Sequence, residues 1–489
     1  MANISLREWL EAAEQRGELL RINGAHWDLE MSSIAELIFR EGKEPLPAIL
    51  YDQIPDYPEG YRTLFGLLTS SWGIAKTLGL PEDQTDRMSL LQNWYQKSKT
   101  CHPLKPKLVT TGPVLANSDT GDQVDLFKFP IPRFHELDGG RYVGTCHAII
   151  QKDPDSGYVN LGGYRSMTVD RNHVALHINP SKDGNIILYQ KYWARKKAMP
   201  VVIAIGMDPI LWWFSCQADA PWGVSEYDYA GGVTGEPIEV IEGPHTGILL
   251  PARAEILIEG ECRPDAFVDE GPFGEWHGYY SNAGLTPVSE PIVEVKAVHY
   301  RDNPILTCSQ MAVPPHSSSL IMALTSSVAI WNRLEAYGIP GIKAVWAHEI
   351  ASGILLRVIS IEQLYAGHAR QIGLLASQYG GNGSYTIVVE EDIDPSSLEQ
   401  VMWSVVTRAL PDRSIHIIPD CRAMNSNPAI PLPEKAGGRK PLTAARVVID
   451  GCRSLTWKKD WYPMAKVSPE LRTKILAKWQ TTLSGLLGK

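Results

Sequence analysis

The chain has 489 residues, of which 44% are hydrophobic and 21% charged. This is the balance of a soluble globular protein of roughly three domains, and it excludes a disordered or fibrous chain. A formal net charge of -9 has the wrong sign for a general nucleic-acid or anionic-membrane binder. Seven widely spaced cysteines with no CxxC pair argue against a disulfide scaffold or structural zinc, and fit a reducing, cytoplasmic compartment.

The N-terminus carries no signal-peptide pattern. Ser5 and Glu8 form a capping box ahead of a helix over 6–16, whose apolar face is Leu6, Trp9, Leu10 and Ala13 and which Gly17 stops. No run of 18 apolar residues occurs, because Asp208 and Pro209 break the stretch 199–216, so no membrane span is expected. Residues 17–110 alternate short apolar pieces with Pro, Gly and Asp and read as a small α/β region. From about 115 to 310, short β runs at 201–205, 238–241, 254–259 and 291–299 predict a barrel or sandwich. A helical pattern over 319–337, a strand at 385–389 and a helix at 398–410 opened by Asp394-Pro395 make the next region α/β. Ser468-Pro469 opens a terminal helix with Leu471, Ile475, Trp479 and Leu483 on one face. That stripe is expected to dock on its own domain or on a partner subunit. The expected domains are 1–114, 115–310, 311–455 and 456–489.

Three segments hold candidate chemistry. The first runs Asp269-Glu270-Gly271-Pro272-Phe273-Gly274-Glu275-Trp276-His277-Gly278-Tyr279. Its glycines and proline deny regular structure, so a shaped loop is predicted, able to aim Glu270 and Glu275 at one point. Close carboxylates split their pKa values, which lets one site hold an acid and a base. By spacing alone, an ordinary Gly-Pro turn with solvated acids is the stronger reading. The second is Asn160-Leu161-Gly162-Gly163-Tyr164-Arg165, after a strand predicted at 144–151. Asn160 can offer oxygen to a metal, and Arg165 a bidentate fork to a carboxylate. The bland alternative is a hairpin turn with a surface arginine. In the third, Trp222-Gly223-Val224-Ser225-Glu226-Tyr227, Glu226 is a hard oxygen ligand or simply a solvated loop acid. The Gly-rich stretch 379–384 precedes a strand, the wrong order for a phosphate-cradling loop, and reads as a turn. HExxH and GxSxG are both absent.

Together these segments resemble the UbiD family of prenylated-FMN-dependent decarboxylases, over most of the chain. The likeness includes Phe129-Pro130-Ile131-Pro132, Asp138-Gly139-Gly140-Arg141-Tyr142, Asn160 to Arg165, Val224 to Tyr227, Pro251 to Ile256 and Ile258-Glu259-Gly260. It continues through Glu270 to Tyr279, Tyr365-Ala366-Gly367-His368-Ala369, and Asp392-Ile393-Asp394 running into Val401-Met402-Trp403. The resemblance implies an α+β, multi-domain fold: a central split β-barrel of flavin-reductase type, a small N-terminal α/β region, and a C-terminal α/β domain that oligomerises and carries a terminal helix. It also implies a catalytic Glu270–Arg165–Glu275 network. Cofactor contacts would fall on Thr145, Asn160, Gly162, Arg165, Ser215, Cys216 and Glu226. The implied metal ligands are an asparagine, a histidine and a glutamate binding manganese or magnesium, with potassium alongside. Asn160 and Glu226 match. Where the histidine belongs this chain reads Pro180-Ser181-Lys182-Asp183, and Asp183 is the expected substitute.

The chemistry is coherent. Loss of CO₂ from an aromatic or vinylic carbon leaves an sp² carbanion that no side chain delocalises, so a cofactor must take the electrons; a covalent substrate–cofactor adduct is the family's answer. A proton must then reach the same carbon, and Glu275 is the expected donor, with Arg165 and Glu270 tuning it. Trp276, His316 and Met424 are candidate pocket residues, His316 having a surface loop position as its alternative. The expected activity is reversible non-oxidative decarboxylation of an aromatic, heteroaromatic or α,β-unsaturated acid, in a homodimer or homohexamer supplied by a flavin prenyltransferase. A physiological carboxylase, a flavin-binding protein without decarboxylase activity and a complex subunit are the alternatives.

Overall fold

The computed structural model describes residues 3–180, 182–216, 221–281, 284–380, 383–435 and 442–483. Gly381 and Asn382 of the Gly-rich turn and Ser181 lie outside the described residues. Helix Leu6–Arg16 forms as its sequence predicts: Ser5 Oγ accepts from the Glu8 N–H, the Glu8 carboxylate takes the Ser5 N–H at 2.8 Å, and Gly17 closes the helix at φ 80°. Its buried face is Leu6, Trp9, Leu10 and Ala13. Beside it lies a four-stranded sheet in the order Leu19–Asn23, Ala48–Asp52, Arg62–Phe65, Ile305–Cys308. Residues 305–308, read with the barrel from sequence, instead pair in parallel with Arg62–Phe65.

The centre is a nine-stranded sheet that curls into a half-barrel, the expected split barrel within an α+β, multi-domain chain. Its order is Arg141–Gly144, Ser166–Thr168, His173–Leu176, Val288–Tyr300, Ile256–Glu270, Met199–Ile205, His147–Lys152 and Val159–Gly162, with Asn117–Thr120 on the flank of Val288–Tyr300. Val201 to Ile205 are all fully buried, because both faces of that strand are covered; each valine or isoleucine among them contributes about 1.5–3 kcal/mol by leaving water. Ile256–Glu270 runs 15 residues with two register shifts against Val288–Tyr300. It is longer than the predicted run and delivers Glu270 at its last position.

The C-terminal sheet has the order Ile342–Ala347, Leu356–Ile361, Tyr385–Glu390, Leu442–Asp450, Ile415–Ala423. Helix Ser319–Ala336 leads into it. Helix Leu398–Arg408 starts at Ser397, which caps Gln400 N–H, and not at Asp394-Pro395, which lies in the preceding turn. The terminal helix Pro469–Lys478 is capped by Ser468 as predicted but buries no residue. Leu471, Ile475 and Trp479 stay 48%, 39% and 48% exposed, so among the described residues the stripe does not dock on its own domain. Among the described residues no helix is long and apolar enough to cross a membrane.

Candidate active site

Arg165 sits between the strands Val159–Gly162 and Ser166–Thr168, facing the end of Ile256–Glu270. Its Nε and Nη2 donate to the two oxygens of Glu270 at 2.9 and 2.8 Å, and Nη1 donates to Glu275 Oε1 at 2.6 Å. The Arg165, Glu270 and Glu275 side chains are only 10%, 0% and 10% exposed. The surface-arginine and solvated-acid readings are therefore both corrected. Partners 105 and 110 residues away cannot be seen from local spacing.

Several groups that sequence reasoning passed over fix this trio. Tyr142, fully buried, donates its hydroxyl to Glu270 Oε1 at 3.0 Å. Phe273 lies 5.0 Å from the Arg165 guanidinium carbon and packs on the Tyr142 ring. Asp138 anchors the loop by accepting from Gly274 N–H at 3.1 Å, Tyr280 hydroxyl at 2.9 Å and His135 N–H at 3.1 Å. Gly271 turns the chain at φ +84°, a conformation that favours glycine. Asp138 and Tyr142 were visible only as motif members; nothing in their spacing points at residue 270. Burial alone would push the Glu270 carboxyl up, but the Arg165 charge and its hydrogen bonds overcome this and hold it below the usual range. Burial likewise would lower Arg165, and the two glutamates raise it instead.

The oxygen-rich residues gather separately. Asn160 lies on strand Val159–Gly162, Asp183 opens the short helix Asp183–Asn185, and Glu226 is the first residue of helix Glu226–Thr234, capped by Ser225. Glu226 is thus a helix N-terminal group and not a solvated loop acid. The Tyr158 hydroxyl lies 3.4 Å from Asn160 Oδ1 and 3.3 Å from Asp183 Oδ2, while Glu226 Oε2 accepts the Leu161 N–H at 2.8 Å. Burial, with Asp183 and Asp228 nearby, pushes Glu226 up to about 8, and burial raises Asp183. Among the described residues no group of three His, Cys, Asp or Glu could hold a metal. This set is two carboxylates and an amide. It nonetheless fits a hard cation by its donor chemistry: the amide oxygen of Asn160 and the carboxylates of Asp183 and Glu226 are all oxygen donors lining one cavity.

Asn160, Asp183 and Glu226 line one cavity of about 660 Å³ with Gly162, Ser215, Cys216, Trp276 and Met424. Its far side is helix Ser319–Ala336, through Met322, Thr325, Ala329 and Arg333, and the C-terminal sheet. Thr145, Arg165, Glu270, Glu275 and His316 are not among the residues that line it. Thr145 Oγ1 accepts the Ser309 N–H at 3.0 Å. His316 is 6% exposed, so it is not a surface histidine; its Nε2 donates to the Trp276 carbonyl at 2.9 Å and its Nδ1 accepts the Ser318 N–H at 3.2 Å. Both its nitrogens are engaged by the protein.

Residues 10–89, 107–314 and 319–451 match the N-terminal, Rift-related and C-terminal domains of 3-octaprenyl-4-hydroxybenzoate carboxy-lyase, UbiD. The chain is 30% identical over 465 residues to pyrrole-2-carboxylic acid decarboxylase of Pseudomonas aeruginosa, covering 91% of this chain and 90% of that one. It is 30% identical over 441 residues to phenolic acid decarboxylase of Bacillus subtilis, covering 88% and 89%. The UbiD-class enzyme HmfF from Pelotomaculum thermopropionicum, solved in complex with FMN, shares the fold with a TM-score of 0.84 at 24% identity, over 97% of this chain and 100% of that one. Three consecutive domain matches and two full-length relatives, on a fold that closes an arginine over two glutamates, place this chain in the UbiD family of carboxy-lyases.

Proposed function

We propose that the chain catalyses the reversible, non-oxidative decarboxylation of an aromatic, heteroaromatic or α,β-unsaturated carboxylic acid, with prenylated FMN as cofactor. The observation that carries this reading is the Glu270–Arg165–Glu275 trio. A protein that only holds a flavin has no use for a buried guanidinium shared by two acids. The aromatic acids in the names of the two relatives support the substrate class, and the FMN complex of HmfF supports the cofactor class.

The division of labour follows from charge. One guanidinium serves two carboxylates, and its hydrogen bonds to them are unequal. Glu270 has the bidentate pair and the Tyr142 hydroxyl, and stays ionised. Glu275 shares Arg165 through one bond, and it is the group that delivers the proton to the substrate carbon after CO₂ departs, or removes it in carboxylation. Prenylated FMN, when bound, supplies the electron sink. Asn160, Asp183 and Glu226 would hold manganese or magnesium, with potassium alongside, at the cofactor's phosphate; Gly162, Ser215 and Cys216 would contact the cofactor from the same cavity. Trp276 and Met424 would shape the substrate end. A cytoplasmic homo-oligomer, loaded by a flavin prenyltransferase, completes the proposal.

The test is purification from cells that co-express a flavin prenyltransferase. The released cofactor should have the mass and spectrum of prenylated FMN, and the protein should release CO₂ from at least one member of an aryl and acrylic acid panel. Loaded protein that turns over none of them, in either direction, would defeat the reading.

A further inference from the structure

The two acids of the trio are held by different parts of the chain. Glu270 ends strand Ile256–Glu270 and is fixed from the barrel side, by Arg165 and the Tyr142 hydroxyl. Glu275 lies beyond that strand, in a turn. Its carbonyl accepts from Gly278 N–H at 2.8 Å, and its own N–H donates to the Tyr279 carbonyl at 3.3 Å. Gly278 holds this turn at φ +84°, and a Cβ there would come within 2.7 Å of the Val313 Cα. His277 closes the turn from inside. Its Nδ1 accepts from Tyr279 N–H at 3.2 Å, so the ring proton sits on Nε2, which donates to Ser281 Oγ at 2.9 Å. The Ser281 hydroxyl passes its own proton outward, to the Ser426 carbonyl at 3.0 Å. Ser426 follows strand Ile415–Ala423 of the C-terminal sheet. Lys435 Nζ donates to the Ser281 carbonyl at 2.8 Å.

His277, Ser281, Ser426 and Lys435 are all buried, so these bonds are made away from water, where leaving one unmade is expensive. Burial holds the His277 pKa below its ordinary value against the pull of Glu275. The ring is therefore neutral, and the chain of donors runs one way, from Tyr279 N–H through His277 and Ser281 to the Ser426 carbonyl. None of these four residues lines the cavity that holds Asn160, Asp183 and Glu226. Their effect on Glu275 is thus separable from binding in that cavity. A proton donor has to be held close to its reacting carbon, and a misplacement of about 1 Å costs roughly a hundredfold in rate.

We propose that His277 and Ser281 are positioning residues, a relay through which the Ser426 carbonyl of the C-terminal domain sets the place of Glu275, while the barrel sets Glu270. The proposal rests on the decarboxylase reading above for the role of Glu275, and its test separates the two. Steady-state kinetics are measured for wild type, Ser281→Ala and Ser281→Thr, each loaded with prenylated FMN. Ser281→Ala breaks the relay and should lower kcat by about ten- to hundredfold, with KM and flavin content within about twofold of wild type. It should also raise the solvent deuterium isotope effect on kcat, because proton delivery becomes the slow step. Ser281→Thr keeps the hydroxyl and should restore kcat to within about threefold. Ser281→Cys, of similar size but a weak donor, replaces the alanine variant if that one does not fold. A kcat within about threefold of wild type in the relay-breaking variant overturns the relay. So does a loss of kcat with an unchanged isotope effect, or an equal loss in Ser281→Thr. If loaded wild type turns over no acid in either direction, the decarboxylase reading fails, and hydrogen exchange decides the relay. It stands if the amides of 275–279 exchange at least about tenfold faster in Ser281→Ala than in wild type and Ser281→Thr, and falls if they do not.

Discussion

His316 donates from Nε2 to the carbonyl oxygen of Trp276 at 2.9 Å, and so ties the approach to helix Ser319–Ala336 to the loop that carries Glu275. The Ser352 hydroxyl reaches the same carbonyl at 2.6 Å. His316 Nδ1 meanwhile accepts from Ser318 N–H, so the ring serves only as the neutral Nε2–H tautomer. Burial accordingly pushes its pKa down to about 4 from 6.5. The unfolded chain then binds more protons than the folded one between those pH values, so the stability present above pH 6.5 is lost as pH falls toward 4. At 1.36 kcal/mol per unit the loss is about 3 kcal/mol. His147, fully buried and also near 4, adds a similar share. Urea unfolding from pH 7 to 4 should show this decline, and His316→Gln should flatten it; an unchanged slope in the variant would show that His316 is not held neutral.

Glu275→Gln keeps the size of the side chain and removes the proton. Turnover should fall by at least about a thousandfold, within the range for loss of a general acid, while flavin content after purification stays at the wild-type level. A variant that decarboxylates at more than a tenth of the wild-type rate would take Glu275 out of the proposed mechanism.

Tyr142→Phe preserves the packing on Phe273 and deletes one donor to Glu270 Oε1. A hydrogen bond to the ionised form favours that form, so its loss raises the Glu270 pKa. The acid limb of the kcat/KM profile should move to higher pH, and kcat should fall about tenfold, the value of a bond to a charged group. An acid limb that stays in place would leave Tyr142 a packing residue only.

What could be read from the sequence follows from the range of the interactions. The Ser5–Glu8 capping box and the Leu6–Ala13 face are contacts within one helical turn, and they form as written. Ser225 ahead of Glu226 is the same type of signal; it makes Glu226 a helix N-terminal group, although a loop was expected. Arg165 could not be placed without partners more than a hundred positions on, and the family likeness supplied what its own neighbours did not. Arg357 and Arg446 were hidden differently. Each lies in a β run, Leu355-Leu356-Arg357-Val358-Ile359 and Ala444-Ala445-Arg446-Val447-Val448. There, alternation suggests a solvated face, yet the sheet packs both arginines against a cavity. The terminal helix shows the converse: its apolar stripe formed, but no described residue of its own domain buries it.

Asp183 tests whether an aspartate has taken over a position where the family likeness implies histidine. Among the described residues it is one of two carboxylates that line the cavity with Asn160, and it shares the Tyr158 hydroxyl with that amide. Hard divalent ions bind through oxygen number and charge, so Asp183→Ala, which removes one of each, should cut bound manganese or magnesium by at least about tenfold. Cofactor retention should fall with it, because under the proposed function this cation would help hold the flavin. Asp183→His replaces the oxygen with a nitrogen donor and should keep metal and flavin together, with selectivity moved from magnesium toward manganese. Metal content by mass spectrometry and flavin content by absorbance on the same preparations decide between outcomes. If Asp183→Ala retains both at wild-type levels, the cation is held without residue 183, and Asn160 and Glu226 would have to bind it with groups other than this aspartate.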